Sequence, residues 1–250
     1  MELLDEVLEA HGGVERWRRA AEFRVHARSG GFLLATRAPR RMFADLDARI
    51  VVDEPWVRFD MAGTEEVVVF DHGRVRMETP DGDVIDERDD PRSLFFGRSG
   101  LRRNLRWDPL DLTYFAGYAW WNYATTPLLF TRPEVDVSEG EPWRQAPGGE
   151  TWRRLDARFD PKLDTHSEEQ TFWVGPDGLL RRHDYTADII GGWAKGAHVL
   201  AEHREFGGLV FPTKRRVTPR GPGGRGLPFP TLVRLDIEGI EVIERRGAGE

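Results

Sequence analysis

The sequence predicts a mainly β protein in which one curved antiparallel sheet closes over a buried aromatic helix. Two observations carry this. Most of the chain alternates apolar and polar side chains with a period of two, in short runs broken by Gly, Pro and Asp turns. The exception is 108–130, which holds the densest run of aromatic residues and reads as a helix. Asp108 is its N-cap and Pro109 sits at the first helical position, where a missing N–H costs nothing. Leu110, Tyr114, Tyr118 and Trp121 fall on one side, while Leu112, Phe115, Ala119 and Trp120 cover much of the rest. A helix apolar nearly all round must be enclosed, or must lend one side to a ligand.

Taken in order, Leu3, Leu4, Val7 and Leu8 at helical spacing, with Gly12-Gly13 as the stop, predict an amphipathic helix over 2–11. A second short turn carries Trp17. Strands follow at 23–28, 32–36, 41–46, 49–53, 56–61, 65–70, 74–78 and 84–87, with Asp71-His72-Gly73 and Asp81-Gly82 as tight turns. Asp89-Asp90-Pro91-Arg92 breaks the meander, and 93–107 is expected to be a loop or short helix, the candidate lid. A polar connection spans 133–150. Strands resume at 151–159, 165–174 and 179–190, the last two joined by Gly-Pro-Asp-Gly, then at 197–206 and 209–218 across Gly207-Gly208, and finally at 231–242. Residues 1–244 are expected to form one domain with a helical insertion at about 91–130, and 245–250 a flexible tail.

Composition narrows the function. A net charge of −7 argues against a nucleic-acid footprint. Without cysteine there are no disulfides, thiolate metal sites or Cys nucleophile. The first ten residues lack the basic start and apolar run of a secretory signal, and no apolar run is long enough to span a bilayer. A cytoplasmic protein without integral membrane insertion is therefore expected. There is no G-x-S-x-G elbow, phosphate loop or H-E-x-x-H, and the histidines form no local metal cluster, so neither cofactor nor metal is expected.

Alternation also says which residues share a face. In the hairpin around 175–178, His166, Glu168, Gln170 and Phe172 lie with Arg181, His183 and Tyr185, a mix of rings and polar groups that suits a pocket wall. Asp184 points to the opposite face from His183, which leaves Glu168 and Tyr185 as the partners of that histidine. In the next hairpin His198, Leu200 and Arg204 share a face with Phe211, Thr213 and Arg215, half apolar at most. Lys214, Arg215 and Arg216 read as a charged, solvated edge strand.

His11-Gly12-Gly13-Val14-Glu15-Arg16-Trp17 after an amphipathic helix, a long meander, a helical insertion and terminal hairpins with Gly208-Leu209-Val210-Phe211-Pro212 together resemble the LolA/LolB/LppX-like superfamily. The resemblance implies a half-open β-barrel covered by helices around a lipophilic cavity, in a family whose exported members carry lipoproteins or lipids. This chain lacks an export signal and a lipidation cysteine, and the family supplies no catalytic motif to carry over.

Three readings follow, the third being a structural or interaction module whose aromatic helix simply fills the core, which the absence of a cavity would favour. A binding protein would hold a hydrophobic small molecule or lipid between Tyr114, Phe115, Tyr118, Trp121 and Tyr123 on the helix and Gln170, Phe172, Arg181, His183 and Tyr185 on the sheet. A cofactor-independent enzyme in the same cavity, of cyclase, isomerase or hydrolase type, would use His183 or Glu168 as acid/base, with Tyr185 or Arg181 stabilising developing charge. A wholly apolar cavity favours carriage; a convergent His, Glu and Tyr favours catalysis.

Overall fold

The computed structural model describes residues 2–38, 42–63, 65–103, 105–144, 149–245 and 247. Two short helices, α1 (Glu2–Ala10) and α2 (Val14–Arg19), lead into β1 (Ala20–Gly30), α3 (Phe32–Arg37) and the meander β2 (Asp45–Val51), β3 (Trp56–Met61), β4 (Val67–Asp71), β5 (Arg74–Glu78) and β6 (Val84–Arg88). Then come α4 (Gly97–Arg103), α5 (Pro109–Thr125) and seven strands: β7 (Val135–Arg144), β8 (Thr151–Phe159), β9 (Glu169–Val174), β10 (Leu180–Thr186), β11 (Lys195–Phe206), β12 (Leu209–Pro219) and β13 (Val233–Glu244).

All thirteen form one antiparallel sheet in the order β6-β5-β4-β3-β2-β1-β13-β12-β11-β10-β9-β8-β7. Two meanders are therefore joined by the pairing of β1 with β13, and the sheet does not close, since β6 and β7 are its free edges. The result is a half-open barrel with helices inside and across it.

The core forms on α5, buried along nearly its whole length. Gly117 lets it approach β4 closely: a Cβ there would lie 2.2 Å from Phe70. The N-terminal phrase and the last hairpin turn out to be one packing unit. Gly12, with φ of 111°, comes so near the Gly208 carbonyl that a side chain would meet it at 2.3 Å. Arg16 Nε donates to the Gly207 carbonyl, the Trp17 indole donates to the His11 carbonyl, and Trp17, Phe23 and Phe211 pack edge to face.

Several expectations change. Residues 32–36 are helical, because Gly31 turns the chain at φ 112° and the amides of Phe32 and Leu33 donate to the Thr231 and Leu232 carbonyls. The strands expected at 41–46 and 49–53 are one strand, β2, with 42–44 lying in the turn before it and Arg41 outside the described residues. The connection expected at 133–150 contains β7, an edge strand that tolerates Gly140 and Pro142. The segment read as a lid is tied to the start of α5 instead: Arg103 pairs with Asp111, and Phe95 packs against Trp107. Of the expected tail, Arg245 donates to the carbonyls of Arg18 and Ala20; residues 246 and 248–250 lie outside the described residues.

Candidate ligand-binding site

One flank of α5 carries Tyr114, Tyr118 and Tyr123, spaced to face the chain between β8 and β9. Tyr114 donates to the Asp164 carboxylate and accepts from Arg92, which also reaches the Thr165 carbonyl. His166 lies between two hydroxyls, with Nδ1 3.2 Å from Tyr118 Oη and Nε2 2.6 Å from Tyr123 Oη. Its ring stacks on Tyr185 at 3.8 Å, and the Tyr185 hydroxyl is 3.3 Å from that of Tyr123. His183 stacks on Phe172 at 4.1 Å, and its Nε2–H donates to Gln170 Oε1 at 2.5 Å.

Burial decides the charge states here. It lowers the His166 pKa to about 3, helped by the Arg92 charge, and depresses His183 and His198 as well. It pushes the Tyr123 phenol up to about 12 and raises the Asp164 carboxyl. A neutral imidazole offers one donor and one acceptor, so of the two hydroxyls at His166 one donates and the other accepts. This flank is a hydrogen-bonded wall in contact with the sheet; the open space lies elsewhere.

The space is a series of three crevices between α5, α3 and β11–β13. An outer groove of about 280 Å³ runs between Phe32, Leu33, Phe115, Tyr185, Trp193 and Val233. A middle crevice of about 40 Å³ shares Phe115 and Val233 with it and extends to Phe43, Trp120 and Leu235. An inner one of about 10 Å³ shares Trp120, Tyr123 and Leu235 with the middle and ends on Arg215, Phe211 and Ile237. Phe32 and Trp193 at the mouth are 56% and 74% exposed, whereas the rings further in are buried. A larger depression, about 860 Å³, lies along β7–β11 and is reached by Gln170 and Tyr185, but it is broad and charged, and its Arg154–Asp156 and Arg220–Asp184 pairs already satisfy one another. Chemistry favours the crevices for an apolar ligand.

Arg215 is the unexpected member. Instead of sitting on a solvated edge, it projects from β12, which lies between β11 and β13, and is 6% exposed. Its neighbours Lys214 and Arg216 pair with Asp236, while Arg215 has no carboxylate partner among the described residues. One NH2 group donates to the Tyr123 carbonyl at 3.0 Å, the guanidinium lies 4.9 Å over the Tyr123 ring, and Nε has no partner. Burial lowers its pKa to about 10, so it stays charged at neutral pH.

The residues expected to form a site are thus divided. Phe115, Tyr123 and Tyr185 line the crevices. Tyr114 and Tyr118 belong to the hydrogen-bonded wall, with Gln170, Phe172 and His183 packed behind it. Trp121 lies on the opposite flank of α5, donating to the Val51 carbonyl under Arg132. Glu168 is exposed and borders the charged depression, so it is no partner for His183: β9 begins only at Glu169, and the turn held by Thr165 and Ser167 interrupts the alternation. Arg181 is the extra residue of a bulge between Leu180 and Arg182, and its guanidinium pairs with Asp177 of the turn. His166, His198 and Arg215 were not among the expected site residues. Parity had grouped His166 with His183 and His198 with Arg215; what it lacked was which face is inside. Among the described residues no group of three or more His, Cys, Asp or Glu side chains is arranged to hold a metal ion.

No protein-family model matches the sequence, and no curated protein matches it. Solved structures do match the fold. A LolA superfamily protein from Nitrosomonas europaea superposes with a TM-score of 0.52 at 9% identity, over 98% of this chain and 93% of that one. A DUF1329 family protein from Desulfovibrio piger gives 0.52 at 12% identity, over 100% and 93%. The fold is LolA-like. No helix among the described residues is long and apolar enough to cross a membrane.

Proposed function

We propose that this protein binds a hydrophobic, lipid-like small molecule in the crevices between α5, α3 and β11–β13, and holds it without transforming it. The observation that carries this reading is the row of three mainly apolar crevices that share walls, open between Phe32 and Trp193 and leading toward Trp120 and Tyr123. Such spaces offer affinity through apolar area, with few polar groups to fix orientation. The LolA-like fold is consistent with it but does not identify a ligand.

The enzymatic alternative is the weaker one. Glu168, its intended acid, borders the other depression, and the hydroxyls and imidazole at His166 are bonded to one another. The reading requires no cofactor.

Native mass spectrometry of the purified protein, followed by organic extraction, should reveal a stoichiometric lipophilic compound or an empty site that takes up an apolar fluorophore such as N-phenyl-1-naphthylamine. Val233→Trp, which fills the neck shared by the outer and middle crevices, should weaken that uptake at least tenfold. Val199→Trp, at an exposed position, should leave it unchanged. Uptake insensitive to Val233→Trp, or no uptake at all, would count against the site.

A further inference from the structure

We infer that the ligand of these crevices is an anionic amphiphile, an alkyl chain ending in a carboxylate, and that its charged end lies inward against Arg215. The inference rests on the binding role proposed above and adds the chemical class.

The argument starts from cost. An arginine cannot shed its charge at neutral pH, and a buried cation without a counter-charge is unfavourable by several kcal/mol in general. Among the described residues the other two arginines buried to this degree avoid that situation, whereas the half-buried Arg37 beside the outer groove likewise has no carboxylate partner. Arg182, equally buried, is held by Asp184, and Arg103 by Asp111. Arg215 alone of these three faces an apolar crevice with no acid beside it among the described residues. Its bond to the Tyr123 carbonyl uses one donor of five and neutralises none of the charge, and Nε is left without an acceptor. A carboxylate is the group whose two oxygens fit a guanidinium edge. The middle crevice is mainly apolar, with Phe115, Trp120, Val233 and Leu235 along it, which suits an alkyl chain, while Arg37, Lys195 and Arg220 border the outer groove.

The inner crevice, about 10 Å³, has room for roughly one water. A carboxylate reaches Arg215 only if the two inner crevices merge, which requires Trp120 and Leu235, common to both, to move aside.

The test compares dodecanoate with 1-dodecanol by titration calorimetry and by displacement of the apolar fluorophore. The wild type should bind the acid at least tenfold tighter than the alcohol at neutral pH. Arg215→Met, which keeps the length and apolar stem, should remove that preference by weakening the acid at least tenfold while leaving the alcohol within about twofold. Arg215→Lys, charged but without the fork, should fall between. Equal binding of acid and alcohol by the wild type overturns the inference whatever the variants do, and leaves the binding role standing. Loss of both ligands in a folded Arg215→Met protein also overturns it, since Arg215 would then shape the crevice. Failure of both ligands to bind the wild type, with no fluorophore uptake, removes the binding role and the inference together.

Discussion

The two ends of α5 treat charge in opposite ways. At the N-terminus Asp108 and Asp111 form a reciprocal capping box: the Asp111 amide donates to Asp108 at 2.8 Å and the Asp108 amide to Asp111 at 3.2 Å. Three arginines close around them, with Arg88 and Arg103 on Asp111 at 2.7 and 2.6 Å and Arg102 on Asp108 at 3.2 Å. Burial works against the Asp108 carboxylate, yet the Arg88 hydrogen bond and the Asp111 amide outweigh it and hold its pKa below the usual range. At the C-terminus Arg215 donates to the Tyr123 carbonyl, and no acid answers it among the described residues. Both ends suit the helix dipole in sign. The difference teaches that charge completed by the chain's own partners serves the fold, whereas charge left over inside a crevice is available to a ligand.

The largest expected effect comes from breaking the completed end. Asp111 is fully buried, and Asp111→Ala leaves Arg88 and Arg103 without their shared carboxylate as well as removing half of the capping box. Removing one partner of a buried pair costs about 3–5 kcal/mol. Chemical denaturation should show that loss with little change in m-value. A cost under about 1 kcal/mol would mean that this end is no more demanding than the other, and the contrast would vanish.

Acid should attack the other half of the helix first. His166 and His198 contact Tyr123 near its C-terminus, and His183 packs beside them. Burial depresses all three, His166 to about 3, below the unfolded value of about 6.5. Below about pH 6.5 the unfolded chain therefore binds protons that the folded one refuses. Their contribution is present in full above that value and is lost as pH falls toward the folded pKa values, by up to about 1.4 kcal/mol per pH unit for each histidine. Asp164, raised by burial, acts with the opposite sign and offsets part of the slope. Asp108, held low, loses its contribution only in stronger acid. His11 and His203, lowered by burial to about 4, add to the slope from outside this helix. Stability measured from pH 7 to 4 should fall, and less steeply in His198→Phe; a flat profile would mean that the histidines are hydrated in solution.

The same contrast separates what the sequence made legible from what it concealed. The start of α5 was readable because Asp108 and Pro109 act on their immediate neighbours. So was the shared face of Phe172 and His183, which the structure pairs across the hairpin, since β-alternation there is local. The Arg181 bulge and the turn before Glu169 broke that alternation within a few residues and displaced two expected site members. Arg215 was misread for a different reason. Three consecutive basic residues look like an exposed edge until the pairing of β12 with β13 on one side and β11 on the other places it inside the sheet, with Arg215 on the face that is enclosed. No local pattern encodes it.

The smallest expected effect is the most informative about the uncompensated end. Arg215→Met removes a buried charge and one hydrogen bond to the Tyr123 carbonyl, and keeps most of the packing against the Tyr123 ring. The lost bond, from a charged donor, costs about 1.5–3 kcal/mol, and the cation–π contact with Tyr123 is lost with it. Relief of desolvation acts the other way, as it does when buried ionic groups are replaced by apolar ones of similar volume. The two nearly cancel, so the ligand-free variant should unfold within about 1 kcal/mol of the wild type, several times less than Asp111→Ala. A loss of 3–5 kcal/mol would make Arg215 a helix cap as indispensable as Asp111, and the ends of α5 would then differ in composition but not in purpose. A near-neutral change, together with a loss of acid selectivity, would assign the charge to the ligand and leave the fold indifferent to it.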